Sequence, residues 1–222
     1  MITIEYEHLV AFSVALIIAF FSTPIARRIA FRAGAVNVPR DGRRMHKKPM
    51  PLLGGLAIIA GFVIAVVYGF ASRDIPEFLF FLTQPKSLGL ISGALIIVVL
   101  GIVDDIRPLK AGIKFVFQLL AAIVVVGTGT RITSITLPFT MGTDNGMTYI
   151  LGETIAFVIS VLWIAGVTHA INLIDGLDGL AAGGSGIASV SLFIVAVIRR
   201  EDDIALAAVS LAGAIFVFLP YN

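Results

Sequence analysis

Three short stretches set acidic, amide and cationic side chains where long apolar runs end. In "GIVDDIRPLKAGIKFVFQ", residues 101–118, Asp104 and Asp105 stand side by side at the close of a greasy segment. Adjacent carboxylates repel, and taking either out of water is costly. Pairing with Arg107 or Lys110 covers one aspartate poorly and two worse. A hard divalent cation covers both. Mg²⁺ commonly uses one or two carboxylates, keeps waters and takes substrate phosphates as its other ligands. Lys114 and Gln118 follow one helical turn apart on one face, so Lys114 offers a point charge to the same phosphates.

In "HAINLIDGLDGLAAGGSG", residues 169–186, Asn172, Asp175 and Asp178 recur every third residue. Helical geometry puts them on one broad face, and the stretch contains no Lys or Arg to neutralise the acids. A polar loop with Asx turns is the plainer alternative. In "NVPRDGRRMHKKPMPLLGG", residues 37–55, Arg40, Arg43, Arg44, His46, Lys47 and Lys48 precede Pro49, Pro51 and the pair Gly54–Gly55. An anchor on anionic head groups accounts for the charge. It does not account for a rigid turn followed by two glycines, which suits backbone that comes close to a ligand. His46 alone is no more than a solvated histidine. Carboxylates, an asparagine and cations together are the equipment of phosphoryl transfer, where catalysis is mostly positioning and charge neutralisation. No Walker glycine loop, GxSxG or HExxH is present, so serine or zinc hydrolysis is unsupported.

The elements that must position these groups are membrane spans. Of 222 residues, 58% are hydrophobic and only 14% charged, against roughly 45–50% and 25% in soluble domains. Mean hydropathy is +1.02. Charge-free runs cover residues 8–26, 49–72, 87–103, 115–130, 154–174, 179–198 and 204–222. Each approaches the roughly 17–25 residues that cross a hydrocarbon core. The expected fold is therefore an all-α polytopic membrane protein with about seven transmembrane helices. The leading segment carries Glu5 and Glu7 and lacks Lys and Arg, which is unlike a cleaved signal peptide. With zero cysteines, disulfides and thiolate metal sites are excluded.

Eleven of the 16 Lys and Arg residues fall in the odd-numbered connections, which puts those connections in the cytosol and the N-terminus outside. All three polar motifs then face the cytosol. Of the outer connections, "ASRDIPEFLFFLTQPK" reads as a short loop with two prolines, and "RREDD" as a solvated turn. "RITSITLPFTMGTDNGMTYILG" alternates around the turn signal "TDNG" and reads as a small external β-hairpin. With no linker and no repeat, residues 1–222 are expected to form a single membrane domain. A cation-coupled transporter is the alternative from another class. Carrier sites, however, lie near the bilayer midplane, whereas these acids fall at span ends.

The three motifs, in this order, resemble the bacterial polyprenyl-phosphate N-acetylhexosamine-1-phosphate transferases. The resemblance runs from about Ile25 to the end of the chain. It implies transfer of a sugar-1-phosphate from a UDP-sugar to a polyprenyl phosphate lipid, with release of UMP. It implies Mg²⁺ as cofactor, with Mn²⁺ as an alternative ion, and a multi-pass place in the bacterial inner membrane with the site facing the cytosol. Asp104 and Asp105 match the essential aspartate pair. Asn172 matches a magnesium-ligating asparagine, with Asp105 as the second expected ligand. Asp178 matches the position that recognises uracil, and Asp175 supports the polar cluster. Lys114 matches a lysine that neutralises substrate phosphates, and Arg44 and His46 fall in the basic motif.

Within the family the motifs are similar to enzymes using UDP-N-acetylglucosamine, which begin cell-envelope polymers. The phospho-N-acetylmuramoyl-pentapeptide transferases are the alternative branch. Asn37 stands where the family usually has aspartate, and Arg44 where lysine is frequent. The family continues past "FLPYN" with a loop bearing a further magnesium-binding aspartate. The resemblance thus implies that these residues are the N-terminal part of a longer transferase, inactive alone. Nucleic acid is not an expected partner, and a homodimer is left open.

Overall fold

The computed structural model describes residues 5–37, 50–137, 147–175 and 179–221. Each of the seven apolar runs contains a helix: α1 (Tyr6–Ala33), α2 (Gly55–Arg73), α4 (Pro85–Ile106), α5 (Ala111–Gly127), α6 (Glu153–Ile174), α7 (Leu180–Arg199) and α8 (Asp202–Phe218). Helix is the form in which a lipid-facing segment satisfies its own backbone groups. Helices α1, α2, α4, α6 and α7 are long and apolar enough to cross a membrane. Helices α5 and α8 have 17 residues each. Two antiparallel pairs accompany the helices: β1 (Val36–Asn37) with β2 (Met50–Pro51), and β3 (Ser134–Leu137) with β4 (Met147–Ile150).

One expectation needs correcting. The segment read as a bare loop with two prolines contains a helix, α3 (Ile75–Thr83). Asp74 caps it by accepting the backbone N–H of Glu77 at 3.2 Å. Pro76 sits in the first turn, where its missing N–H has no intrahelical partner to lose, and Pro85 opens α4 in the same way.

The chain divides into two units. The first comprises residues 1–78, 104–108 and 173–222. In it α1 buries Ala11, Ala15, Ala19, Thr23, Ala26 and Ala30, and α2 buries Ala57, Gly61, Ala65 and Gly69. Small side chains four residues apart let membrane helices approach until backbones touch. A Cβ added to Gly61 would lie 2.6 Å from the carbonyl oxygen of Ala15. One added to Gly213 of α8 would lie 2.5 Å from that of Phe12. Ala15, Ala19, Ala65 and Ala214 form the resulting core, with Leu206 of α8 buried beside Ala11. Helix α1 stops at Gly34, whose φ of 73° is left-handed and whose N–H returns to the carbonyl of Ala30. At the opposite end of α1, Arg73 Nε donates to Glu7 at 2.6 Å and its Nη1 to Asp203 at 3.1 Å. The first turns of α1 and α8 therefore meet the last turn of α2, the relationship expected of helices that cross in alternate directions.

The second unit comprises residues 79–103 and 109–172. Gly89 and Gly93 of α4 face Thr128 and Val125 near the C-terminus of α5. Ala122 and Val126 of α5 cluster with Val161 and Ala165 of α6. Strands β3 and β4 pair from Ser134 with Ile150 to Leu137 with Met147, and the Thr136 and Thr148 hydroxyls lie 2.9 Å apart. The ladder is seated on α6, because the N–H of Ile132 donates to Ser160 Oγ at 2.7 Å. The turn signal between the strands lies outside the described residues.

Candidate functional site

A polar contact joins α5 and α6 one turn from Lys114 on the first helix and from Asn172 on the second. Lys114 is half-buried in the first turn of α5, and Gln118 follows one turn later with 4% of its surface exposed. Gln118 Oε1 lies 2.8 Å from His169 Nδ1 on α6. Phe115 packs edge-on against the same imidazole, 5.3 Å between centroids. The helices run antiparallel, so the spacing repeats: Gln118 meets His169, and the Ala122–Val126 turn meets the Ala165–Val161 turn. One turn further, the same register brings Lys114 level with Asn172.

The Gln118–His169 contact was not read from the sequence. Its signal is a polar residue one turn inside each motif residue: Gln118 beyond Lys114, and His169 before Asn172. With the amide oxygen of Gln118 facing Nδ1, that nitrogen is the donor and Nε2 of the neutral ring is left as an acceptor. The half-buried lysine is the group here that can neutralise a phosphate, and the amide–imidazole contact joins the helices one turn away.

Asp104 and Asp105 occupy the last turn of α4, both half-buried. The break after them runs from Arg107 to Lys110 and contains Pro108. Gly112 lies inside α5. Asp104, Asp105 and Asp175 belong to the first unit, whereas Lys114, Gln118, His169 and Asn172 belong to the second.

The third motif departs from the expected helical face. Helix α6 ends at Ile174, so Asn172 is helical and Asp175 lies just beyond the last turn. Gly179, which precedes α7, takes a left-handed φ of 70° that a continuing helix does not contain. Asp175 remains exposed, yet the atoms around it displace enough water to push its carboxyl pKa above the ordinary aspartate value. Arg44, His46 and Asp178 lie outside the described residues. Among the described residues no group of three or more His, Asp or Glu side chains gathers as a metal cluster. Asn172 and Asp105 nevertheless offer oxygen donors, the kind that Mg²⁺ takes in ones and twos.

Comparison with known proteins places these residues in context. The profile described as glycosyl transferase family 4 matches residues 87–222. A Bacillus subtilis protein named as a probable undecaprenyl-phosphate N-acetylglucosaminyl 1-phosphate transferase is 40% identical over 213 residues, covering 96% of this chain and 55% of the relative. A Mycobacterium tuberculosis decaprenyl-phosphate N-acetylglucosaminephosphotransferase is 34% identical over 221 residues, covering 94% and 52%. A Shouchella clausii phospho-N-acetylmuramoyl-pentapeptide-transferase is 30% identical over 237 residues, covering 99% and 67%. The chain spans about half the length of the N-acetylglucosamine-named relatives it matches.

Proposed function

Because the chain belongs to glycosyl transferase family 4, we propose that the protein transfers N-acetylglucosamine-1-phosphate from UDP-N-acetylglucosamine to undecaprenyl phosphate, releasing UMP and initiating a cell-envelope polymer. The observation that carries this reading is the α5–α6 pairing. Gln118 and His169 join the two helices one turn from Lys114 and from Asn172 respectively. The carrier alternative falls away with the family assignment. The muramoyl-pentapeptide donor ranks second: a relative of that name reaches 30% identity, whereas N-acetylglucosamine-named relatives run from 29% to 40%.

In the proposed reaction an oxygen of the lipid phosphate attacks the phosphorus that carries the sugar. A P–O bond forms there, the bond from that phosphorus to the bridging oxygen breaks, and its electron pair leaves on UMP. The Asp104–Asp105 pair orients the lipid phosphate and accepts its proton where it carries one. Lys114 balances the charge that spreads over the phosphoryl oxygens. Asn172 and Asp105 would be the residues that hold Mg²⁺, or Mn²⁺ in its place, which when bound would supply charge neutralisation to the diphosphate. Asp178 reads the uracil and Asp175 supports the polar cluster. Arg44 keeps the cationic charge of the basic motif with a forked guanidinium that suits phosphate oxygens, and His46 belongs to the same motif.

We further read α5 and α8 as spans, which gives seven crossings with the N-terminus outside and the polar motifs facing the cytosol of a bacterial inner membrane. The β3–β4 ladder is then external, the chain one membrane domain, and a homodimer compatible with it. The test uses membranes containing the protein, radiolabelled UDP-N-acetylglucosamine, undecaprenyl phosphate and Mg²⁺, with Asp104→Asn as control and UDP-N-acetylmuramoyl-pentapeptide as the competing donor. Label entering the lipid phase with stoichiometric UMP is the expected result. Label left wholly in the aqueous phase by the wild type overturns the reading.

A further inference from the structure

The first turn of α1 carries a histidine among apolar neighbours. His8 is 2% exposed, and the backbone N–H of Glu5 donates to its Nδ1 at 3.2 Å. A neutral imidazole that accepts at Nδ1 carries its proton on Nε2. That buried Nε2 has no hydrogen-bond partner among the described residues, although buried polar atoms are nearly always satisfied. The ring packs edge-on to Phe193 of α7, 5.4 Å between centroids. Both rings line a groove of about 280 Å³, together with Leu9, Phe12, Val190 and Ala212 from α1, α7 and α8.

We propose that this groove holds one acyl chain of a zwitterionic glycerophospholipid, whose ester carbonyl accepts a hydrogen bond from His8 Nε2–H. Three observations choose that occupant. Leu9 and Val190 are 59% and 40% exposed, so the groove opens on the outer face of helices long and apolar enough to sit in lipid. The unpaired donor lies in the first turn of a span, at the boundary between hydrocarbon and head groups where ester carbonyls lie. Beside it, Glu7 and Asp203 share the guanidinium of Arg73, which leaves that trio net acidic. Such a rim attracts a head-group ammonium and repels an anionic head group. The volume falls below the roughly 300 Å³ where small-molecule sites begin, which suits a length of chain. Binding here needs none of the transfer chemistry.

The test reconstitutes the full protein in phosphatidylethanolamine vesicles doped with a diazirine-bearing phosphatidylethanolamine. After photolysis, labelled peptides are mapped by mass spectrometry. Label is expected on the α1 and α7 peptides that contain Leu9, Phe12 and Val190. His8→Leu should lower labelling there by about threefold to tenfold, the worth of one hydrogen bond, and His8→Gln, which keeps a donor, should restore most of it. Val190→Phe fills the groove from its exposed side and should displace the chain without altering His8. Phosphatidylglycerol probes should label these peptides less. Three results each overturn the inference: label absent from these helices while others are labelled; labelling unchanged by both His8→Leu and Val190→Phe; or equal labelling by the anionic probe.

Discussion

Gln118 and His169, 51 residues apart in sequence, form a polar contact between α5 and α6, with Nδ1 and Oε1 2.8 Å apart. The amide is buried and sits on an otherwise hydrocarbon interface built from Ala122, Val126, Val161 and Ala165. Deleting one partner of such a pair leaves the other desolvated, which costs about 1–3 kcal/mol. Gln118→Leu should lower the detergent-solubilised melting temperature accordingly. It should also reduce UMP release, because the ring of His169 loses its fixed orientation one turn from Asn172. Unchanged melting and turnover would show that the contact is incidental.

Asp104 and Asp105 end α4 as a half-buried pair. Asp104→Asn and Asp105→Asn are each expected to lower UMP release by about 10²–10⁴-fold, the span of a lost acid–base or charge-stabilising group. Helix content by circular dichroism should stay unchanged. Activity within a few-fold of wild type would remove these residues from the reaction.

The proposed metal site has its own test. Chelation by EDTA should abolish turnover, Mg²⁺ should restore it and Mn²⁺ should restore part. Asn172→Ala should shift the Mg²⁺ concentration needed for half-maximal rate upward, whereas Asn172→Asp should shift it downward or leave it. Turnover that persists in chelator would refute the metal assignment.

Asp175 offers a test by pH. Loss of water raises its carboxyl in the folded chain above the ordinary value of 3.8. The folded state then holds the proton more tightly than the unfolded one. Its contribution to stability is complete below 3.8 and falls away as pH rises through the raised value. Asp175→Asn removes this fall, so the variant should gain on the wild type in melting temperature as pH rises through that window. Parallel melting curves for the two proteins would contradict the assignment.

Gly61 sets the distance between α1 and α2. A side chain there meets the Ala15 carbonyl at once, so Gly61→Leu should destabilise by about 1–3 kcal/mol or more. Gly55→Ala, at the start of the same helix, has no atom within 4 Å of the new methyl group and should be neutral or mildly stabilising. Equal effects would mean that α1 and α2 do not pack as described.

The helices were legible because a long apolar run has few options in a bilayer. Helix α3 was not, since prolines at 76 and 85 read as breakers when both are helix starters. The polar motifs were visible as dense clusters, and the one-turn spacing of Lys114 and Gln118 holds. The partnership of Gln118 with His169 was invisible, because no local pattern announces a contact between two separate helices. The every-third spacing of Asn172 and Asp175 misled, because α6 ends at Ile174 between them. Arg44, His46 and Asp178 lie outside the described residues, so their expected roles rest on the motifs alone.

Ser160 accepts the N–H of Ile132 and donates to the carbonyl of Ala156, so one hydroxyl rivets the strand ladder to α6. The same helix ends in the turn that carries His169 and Asn172, roughly 18 Å away along its axis. A stiff rod turns as a whole. A nanobody clamped on the ladder therefore has a lever on the amide and imidazole at the far end of the same helix.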